Sequence, residues 1–165
     1  MKIRHGLFSL LLAGPMAGAQ PQVSELEYGI LYSSGFSSRY PQIMVVNRLG
    51  QVIHYHAGRD PSLKPSLVKN QPVDEQEKMQ AALPKLLPSV TDFSQTDYTF
   101  ILITLHEKVD SCESCELQKA INQKVIASLG AKTAQEYQIK VYFPEIPSHL
   151  SKEEILERYP YVEFR

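Results

Sequence analysis

The stretch "YTFILITLHEKVDSCESCELQKAINQKVIASLG", residues 98–130, holds the elements around which the fold is built. Its first eight residues, 98–105, are an unbroken apolar and β-branched run, which is typical of a strand buried on both faces in the middle of a sheet. After the cysteines, apolar residues recur every four positions and predict a core-facing helical stripe: Leu117, Ile121, Val125 and Leu129. Gly130 is suited to end that helix as its C-cap. The sequence therefore predicts a central strand that leads to a cysteine pair at the start of a helix.

Cys112 and Cys115 are the only cysteines of the chain, and three roles are open to them. The dipole of the following helix would activate the first thiol of a redox dithiol. An oxidising compartment would close a plain disulfide. A metal site would use both thiolates. Acidic neighbours oppose thiolate formation, and Lys108 offsets them only partly: Glu107, Asp110, Glu113 and Glu116.

The first residues predict export. Lys2 and Arg4 precede an apolar run, 7–13, and small residues follow in "GPMAGA", which is the pattern of a secretory signal peptide over residues 1–19 with cleavage after Ala19. The apolar run is too short to span a bilayer, which takes about 20 residues. We therefore expect an exported protein, periplasmic or secreted, whose mature chain is one domain over residues 20–165 without a membrane span.

The charge of the mature chain excludes a general electrostatic attraction to nucleic acid or to an anionic membrane. Removing Lys2 and Arg4 from the 17 basic residues leaves 15 against 18 acidic ones, a net charge near −3. No P-loop, no G-x-G-x-x-G and no Ser/His/Asp order is present, so nucleotide-phosphate and serine-hydrolase functions have no support. The partners stay unknown at this level.

The remaining segments supply the other elements of an α/β domain. "IMVVNRLGQVIHY", residues 43–55, holds two β-rich runs around "NRLG" and predicts a hairpin. Residues 73–87 predict a helix that Pro84 kinks or ends, with four apolar residues near one face: Met79, Ala82, Leu83 and Leu86. Residues 137–143 predict another strand. Within the C-terminal segment 148–165, a capping box of Ser151 with Glu154 predicts a last helix.

The predicted order is β-β-α-β-α-β-α, which indicates a three-layer α/β/α sandwich with a mixed sheet. Residues 20–40 are left as an N-terminal extension. Aromatic residues recur there every four positions, but the interleaved glycines and serines favour loop and packing: Tyr28, Tyr32, Phe36 and Tyr40. His54 and His56 share one face of the second hairpin strand and could pair on a metal, although we favour the solvated face of an edge strand.

Over roughly residues 40–145 the chain resembles the cytidine-deaminase-like superfamily, especially its secreted bacterial toxin branch. The segments that carry the resemblance are "YPQIMVVNRLGQVIHYHAG", "VDEQEKMQAAL", "YTFILITLHEKVDSCESC" and "ELQKAINQKVIASL" with "YQIKVYF". In that superfamily a hairpin precedes a helix with H-x-E, then a strand, then P-C-x-x-C at the start of a second helix. The resemblance implies an exported zinc-dependent deaminase of a nucleobase or related amine, or a catalytically degenerate relative.

The resemblance also implies a metal site in which Cys112 and Cys115 are zinc ligands. Zinc held by three protein ligands keeps a fourth position for the water that attacks the base. The chain departs from the family, because it has no H-x-E and Ser111 stands where the proline belongs. Glu75 falls at the position of the ligand histidine and Glu77 at that of the proton-shuttling glutamate, while His106 is another candidate third ligand. The alternative is a degenerate site without a cofactor, in which the cysteines form a disulfide.

A thioredoxin-like fold is the alternative architecture, and it implies a periplasmic thiol–disulfide protein that uses Cys112 and Cys115. That fold needs a further hairpin, introduced by a cis-proline, after the CxxC helix and the next strand. Only about 20 residues follow Phe143, and they predict a helix. A non-catalytic binding module on a deaminase-like scaffold is the third class of function that the sequence leaves open.

Overall fold

The computed structural model describes residues 21–67, 76–130 and 132–163. These residues form an α/β domain of five strands and four helices: β1 (Gln22–Glu27), α1 (Tyr28–Ser33), β2 (Gln42–Asn47), β3 (Val52–Ala57), α2 (Gln76–Leu86), β4 (Tyr98–Leu105), α3 (Glu113–Leu129), β5 (Ala134–Tyr142) and α4 (Lys152–Arg158). A short 3-10 turn, Pro65–Leu67, follows β3. The predicted fold class is confirmed.

The described strands form one mixed sheet in the order β1-β5-β4-β2-β3. β1, β5 and β4 run parallel, whereas β2 is antiparallel to both β4 and β3. The predicted hairpin is therefore present, and its first strand pairs with β4 from Gln42 opposite Ile103 to Asn47 opposite Tyr98. The hairpin begins at Pro41, whose peptide bond with Tyr40 is cis. β4 lies at the centre of the sheet.

One face of the sheet is covered by α1 and α2. Side chains of β2 and β4 that point to this face are fully buried against Leu31 of α1 and the apolar face of α2: Met44, Val46, Ile101 and Ile103. The four apolar positions predicted for α2 are all buried: Met79, Ala82, Leu83 and Leu86. Pro84 lies inside the last turn of α2, which ends two residues later. This face holds the larger of the two cores.

The opposite face is covered by α3. Ile43, Val45 and Phe100 point to this side and form a second cluster with Val125 of α3. Because Phe100 and Ile101 are both fully buried, β4 is buried on both faces, as its unbroken apolar run predicts. Helices on both faces of the sheet give the three layers that the sequence predicts.

The apolar stripe predicted for α3 is wrong in its first turns. Leu117 is 42% exposed, whereas Gln118 and Asn122 are fully buried. These two amides hydrogen-bond to polar groups beneath the helix, so the helix turns a polar surface to the sheet there. Val125 is buried as predicted, and Cys112 and Gly130 cap the two ends of the helix.

The N-terminal extension contains a strand and a helix that the sequence did not indicate. β1 adds an edge to the sheet by pairing with β5, from Gln22 opposite Tyr137 to Glu27 opposite Tyr142. Tyr28 and Tyr32 lie in α1, but the helix ends at Ser33 and Gly35 follows with a φ of 72°, a conformation that side chains rarely adopt. The predicted order therefore lacks the first two elements.

The last helix begins as predicted. The Ser151 hydroxyl accepts a hydrogen bond from the Glu154 amide, and the Glu154 carboxylate accepts one from the Ser151 amide at 2.8 Å. Beyond α4, the ring of Tyr161 packs edge-on against Tyr28, with centroids 4.9 Å apart. Among the residues that the structure describes, no helix has both the length and the apolar character to cross a membrane.

Candidate functional site

The two cysteines lie at the N-terminus of α3, after a short loop that leaves the carboxyl end of β4. The amide of His106 donates to Val141 O at 2.8 Å, which extends the pairing of β4 with β5 by one residue. The amide of Val109 then donates to His106 O at 2.8 Å and turns the chain toward the helix. The carboxyl ends of parallel strands are the usual position of binding sites in open α/β sheets.

Cys112 and Cys115 are joined by a disulfide, with 1.96 Å between the sulfurs and 5.2 Å between the Cα atoms. Of the three roles that the sequence leaves open, the structure therefore has the oxidised pair. Cys115 is buried, with 4% of its surface exposed, whereas Cys112 is only half-buried. An incoming thiolate consequently reaches Cys112 Sγ more easily than Cys115 Sγ.

Cys112 is also the N-cap residue of α3. Its Sγ accepts a hydrogen bond from the Cys115 amide at 3.2 Å, in the position that a capping oxygen usually takes. The unpaired amides and the dipole at a helix N-terminus stabilise negative charge there. After reduction, this position stabilises the thiolate form of Cys112, which is the form that attacks disulfides.

A pocket of about 400 Å³ opens beside the disulfide, between the first turns of α3 and the sheet. Leu102 and Thr104 of β4 and Gln138 and Lys140 of β5 form its floor, and both cysteines lie in its wall. The four floor residues share one face because Leu102 is opposite Gln138 and Thr104 is opposite Lys140. The volume is in the range of pockets that bind small molecules or side chains.

Charged side chains surround the pocket, and most of them are acidic: Glu107, Asp110, Glu113, Glu116, Lys119 and Lys140. Lys140 forms an ion pair with Glu107 and holds the pKa of that carboxyl below its usual value. Asp110, Glu113 and Glu116 have exposed side chains. The four acidic residues that the sequence places near the cysteines therefore also line the pocket, but a lysine of β5 neutralises one of them.

His106 has a structural role in the loop. Its Nδ1 accepts a hydrogen bond from the Lys108 amide at 3.1 Å, so the proton of the neutral ring is on Nε2, which lies 3.2 Å from a Glu25 carboxylate oxygen. These contacts attach the loop to β1 at the edge of the sheet. Both ring nitrogens are occupied, and the ring is not positioned as a free ligand.

A chain of buried polar groups runs beneath α3. The Asp60 amide donates to Gln118 Oε1 at 2.6 Å, Gln118 Nε2 donates to Asn122 Oδ1 at 3.0 Å, and Asn122 Nδ2 donates to Glu136 Oε1 at 3.1 Å. Burial raises the pKa of Glu136, although hydrogen bonds from Asn122 and Gln138 oppose the shift. Because Gln138 also forms part of the pocket floor, this network ends at the disulfide pocket.

The acidic residues predicted for zinc chemistry are not brought to the cysteines. Glu75 lies outside the described residues, and Glu77 is exposed in the first turn of α2. α2 packs on the opposite face of the sheet from α3. Glu77 does not line the disulfide pocket.

The donor atoms that the structure describes do not fit a zinc site. The two sulfurs are bonded to each other, and within residues 21–67, 76–130 and 132–163 no three His, Cys, Asp or Glu side chains are grouped so as to hold a metal ion. We therefore derive no chemistry through zinc. Ligation that includes Glu75 stays a prediction, because that residue is not described.

His54 and His56 lie on the edge strand β3, as expected, but only His56 is exposed. His54 Nε2 lies 3.0 Å from Asp60 Oδ2, and its side chain is 19% exposed. Burial alone would raise the pKa of Asp60, but hydrogen bonds from Ser62 and the nearby His54 outweigh it and lower that pKa. His54 therefore anchors the loop after β3.

Several residues of the pocket and of the buried network were not singled out in the sequence: Gln118, Lys119, Asn122, Glu136, Gln138 and Lys140. One signal was available. Glu136, Gln138 and Lys140 alternate along β5, so they share one face, and that face is polar in a strand whose other face is apolar. The four-residue spacing of Gln118 and Asn122 carries a similar signal on α3.

A scan against models of known protein families, a search of curated proteins and a search of solved structures found no match to this chain. The function is therefore argued from the geometry of the disulfide site.

Proposed function

We propose that this protein is an exported thiol–disulfide exchange protein in which Cys112 is the reactive sulfur and Cys115 the resolving one. The observation that carries this proposal is the disulfide itself, which joins an accessible sulfur to a buried one at the N-terminus of a 17-residue helix. It lies in the wall of an open pocket. A disulfide between residues three apart in the chain removes little conformational freedom from the unfolded state. Its contribution to stability is therefore small for a disulfide, which favours a role in exchange.

The exchange reaction needs only the groups of this site and a thiol. A substrate thiolate attacks Cys112 Sγ, the bond to Cys115 breaks, and Cys115 leaves as a thiolate that takes up a proton. A second substrate thiolate attacks the substrate sulfur of the mixed disulfide and releases Cys112. Two thiols are thereby oxidised to one disulfide while the protein disulfide gains two electrons, and the reverse sequence reduces a substrate disulfide.

The proposal rests on the disulfide and its pocket, not on a thioredoxin-like chain order. That fold needs a hairpin after the CxxC helix and the next strand, whereas β2 and β3 precede β4 in the chain and α4 is the described element after β5. The chain order among the described residues therefore differs from the one that a thioredoxin-like fold requires.

Export is part of the proposal because residues 1–19 have the pattern of a signal peptide. A periplasmic or extracellular setting keeps an accessible cysteine pair oxidised, which is the state of Cys112 and Cys115.

The test is a trapping experiment with the mature chain. We expect Cys115→Ser, which keeps the reactive sulfur, to form a stable mixed disulfide with the neutral reagent dithiodipyridine faster than Cys112→Ser does. Ser128→Ala, near the other end of the same helix and not part of the pocket, is the control and should cycle like the wild type. Equal reactivity of the two single variants, both at the rate of an unstructured cysteine peptide, would sink the proposal.

A deaminase-like enzyme is the second candidate. Its resemblance to the chain calls for a hairpin that pairs with the strand before the CxxC, and β2 pairs with β4. Its first test is metal content. Protein expressed with zinc and kept reduced would hold about one zinc per chain, and both Cys112→Ser and Glu75→Ala would lose it. Its second test is activity, because Glu77→Gln would abolish deamination of a nucleobase or related amine. A zinc content near zero would rule out the deaminase-like candidate, and the thiol–disulfide proposal would remain.

A further inference from the structure

The charges around Cys112 are unbalanced once the internal ion pair is taken into account. Glu107 and Lys140 neutralise each other. The other charged residues that line the pocket are one lysine, Lys119, and three exposed carboxylates: Asp110, Glu113 and Glu116. The charge of Lys119 also acts on the half-buried Glu136, where it opposes the rise that burial causes in the pKa of that carboxyl. The entrance to the accessible sulfur is therefore negative.

A negative entrance acts on the first step of exchange. The attacking group is itself an anion, so the three carboxylates repel every thiolate that approaches Cys112. A positive charge next to the substrate sulfur cancels this repulsion, whereas a negative charge doubles it. Charges at the mouth of a partly enclosed site change association rates by tenfold or more, and salt weakens the effect.

From these charges we infer that the site selects substrates whose cysteine is flanked by positive charge, and discriminates against anionic thiols. This inference rests on the proposed function and names its substrate class. Asp110, Glu113 and Glu116 are the specificity-determining residues, while Cys112 and Cys115 do the chemistry. A basic polypeptide segment and a small amine thiol both carry a positive charge next to a thiol, and the peptide and cysteamine probes distinguish them.

The experiment measures the rate of reduction of the oxidised full mature chain by three blocked peptides, Lys-Cys-Lys, Gln-Cys-Gln and Glu-Cys-Glu, and by cysteamine. Each rate is divided by the thiolate concentration calculated from the measured thiol pKa of the probe. At low salt we expect Lys-Cys-Lys to react at least about tenfold faster than Glu-Cys-Glu, with Gln-Cys-Gln between them, and the ratio to approach one at about 0.5 M salt. Cysteamine faster than Lys-Cys-Lys identifies a small amine thiol as the source; the opposite order identifies a peptide.

A triple variant tests which residues are responsible. Asp110→Asn with Glu113→Gln and Glu116→Gln should bring the ratio of the Lys to the Glu peptide close to one at low salt. The control is Glu153→Gln with Glu157→Gln, which removes two exposed carboxylates of α4 that do not line the pocket and should keep the wild-type ratio.

Different results contradict the exchange function and the inferred substrate class. If Gln-Cys-Gln does not reduce the disulfide at all, the proposed exchange function is wrong. If all three peptides reduce it at equal thiolate-corrected rates, or if the triple variant keeps the full charge preference, exchange stands and the inferred substrate class is overturned.

Discussion

Gln118 joins helix α3 to the loop after β3, because its Oε1 accepts a hydrogen bond from the Asp60 amide, and its Nε2 donates another to Asn122 of the same helix. Gln118→Leu keeps the size of the side chain but removes the partner of two buried groups, the Asp60 amide and Asn122 Oδ1. We expect the free energy of unfolding in urea to fall by about 1–3 kcal/mol. Gln123→Leu, an exposed position on the same helix, is the matched control and should change it by less than about 0.5 kcal/mol. Equal effects of the two substitutions would contradict this role of Gln118.

Glu136 makes stability depend on pH. Burial raises the pKa of its carboxyl above the ordinary value, so the folded protein binds a proton more tightly than the unfolded chain does. The stabilising effect is complete at low pH and is lost as the pH rises through the raised pKa of the folded state. We expect the free energy of unfolding of wild type relative to Glu136→Gln, measured by urea titration, to fall as the pH rises above the ordinary pKa of a glutamate. A constant or rising difference would contradict the direction of the shift.

At the scale of single elements, the capping box of α4 stabilises a helix that has no buried residue. Ser151→Ala removes the side-chain acceptor of the Glu154 amide and should cost about 1 kcal/mol of local stability. Faster hydrogen exchange of the α4 amides would report this loss, while the midpoint of global unfolding stays unchanged, because α4 contributes nothing to either core. Ser148→Ala, outside the helix, is the control; a lower global midpoint would show instead that α4 unfolds only with the rest.

The elements that the sequence predicted well are those whose own side chains determine them. The apolar run 98–105 and the apolar face of α2 needed no knowledge of their neighbours. β1 and α1 were not predicted, because six-residue elements carry little periodicity and β1 is fixed by parallel pairing with a strand more than a hundred residues later. Leu117 was assigned to the core because periodicity does not register hydrogen bonds that bury amides.

The candidate site was predicted in its covalent part only. The pattern of strand, CxxC and helix located the disulfide, since a local motif specifies it. The pocket floor depends on the register of β4 against β5, and the ion pair of Glu107 with Lys140 depends on the same register. Neither register nor the face on which α2 packs follows from the residues of one element. The sequence therefore indicated the two sulfurs and the carboxylates beside them in the chain, but not the groups that the sheet brings to the pocket.

For the molecule as a whole, the disulfide is a small part of stability. The loop that it closes is only a few residues long, so a chain-entropy argument gives it about 2 kcal/mol. Neither core cluster depends on the bond between the sulfurs. We therefore expect a Cys112→Ala, Cys115→Ala double variant to lose about 2 kcal/mol in urea unfolding and to keep the far-ultraviolet circular dichroism of the oxidised protein, with reduced wild type as the control. Loss of the folded spectrum in either protein would show that the bond is required for the fold.

The position of β5 has a consequence for how the chain acquires its shape during synthesis. β5 comes last among the strands, yet it lies between β1 and β4, so it separates the earliest strand from the centre of the sheet. Until residues 134–142 have been made, the sequence from Gln22 to Glu27 has no neighbour to pair with, because its partners in β5 lie more than a hundred residues later in the chain. Such long-range pairing is slow to form. A ribosome-bound chain that ends before β5 would hold a hairpin and the central strand but no closed sheet, and the pocket beside the cysteines would still lack its floor residues from β5.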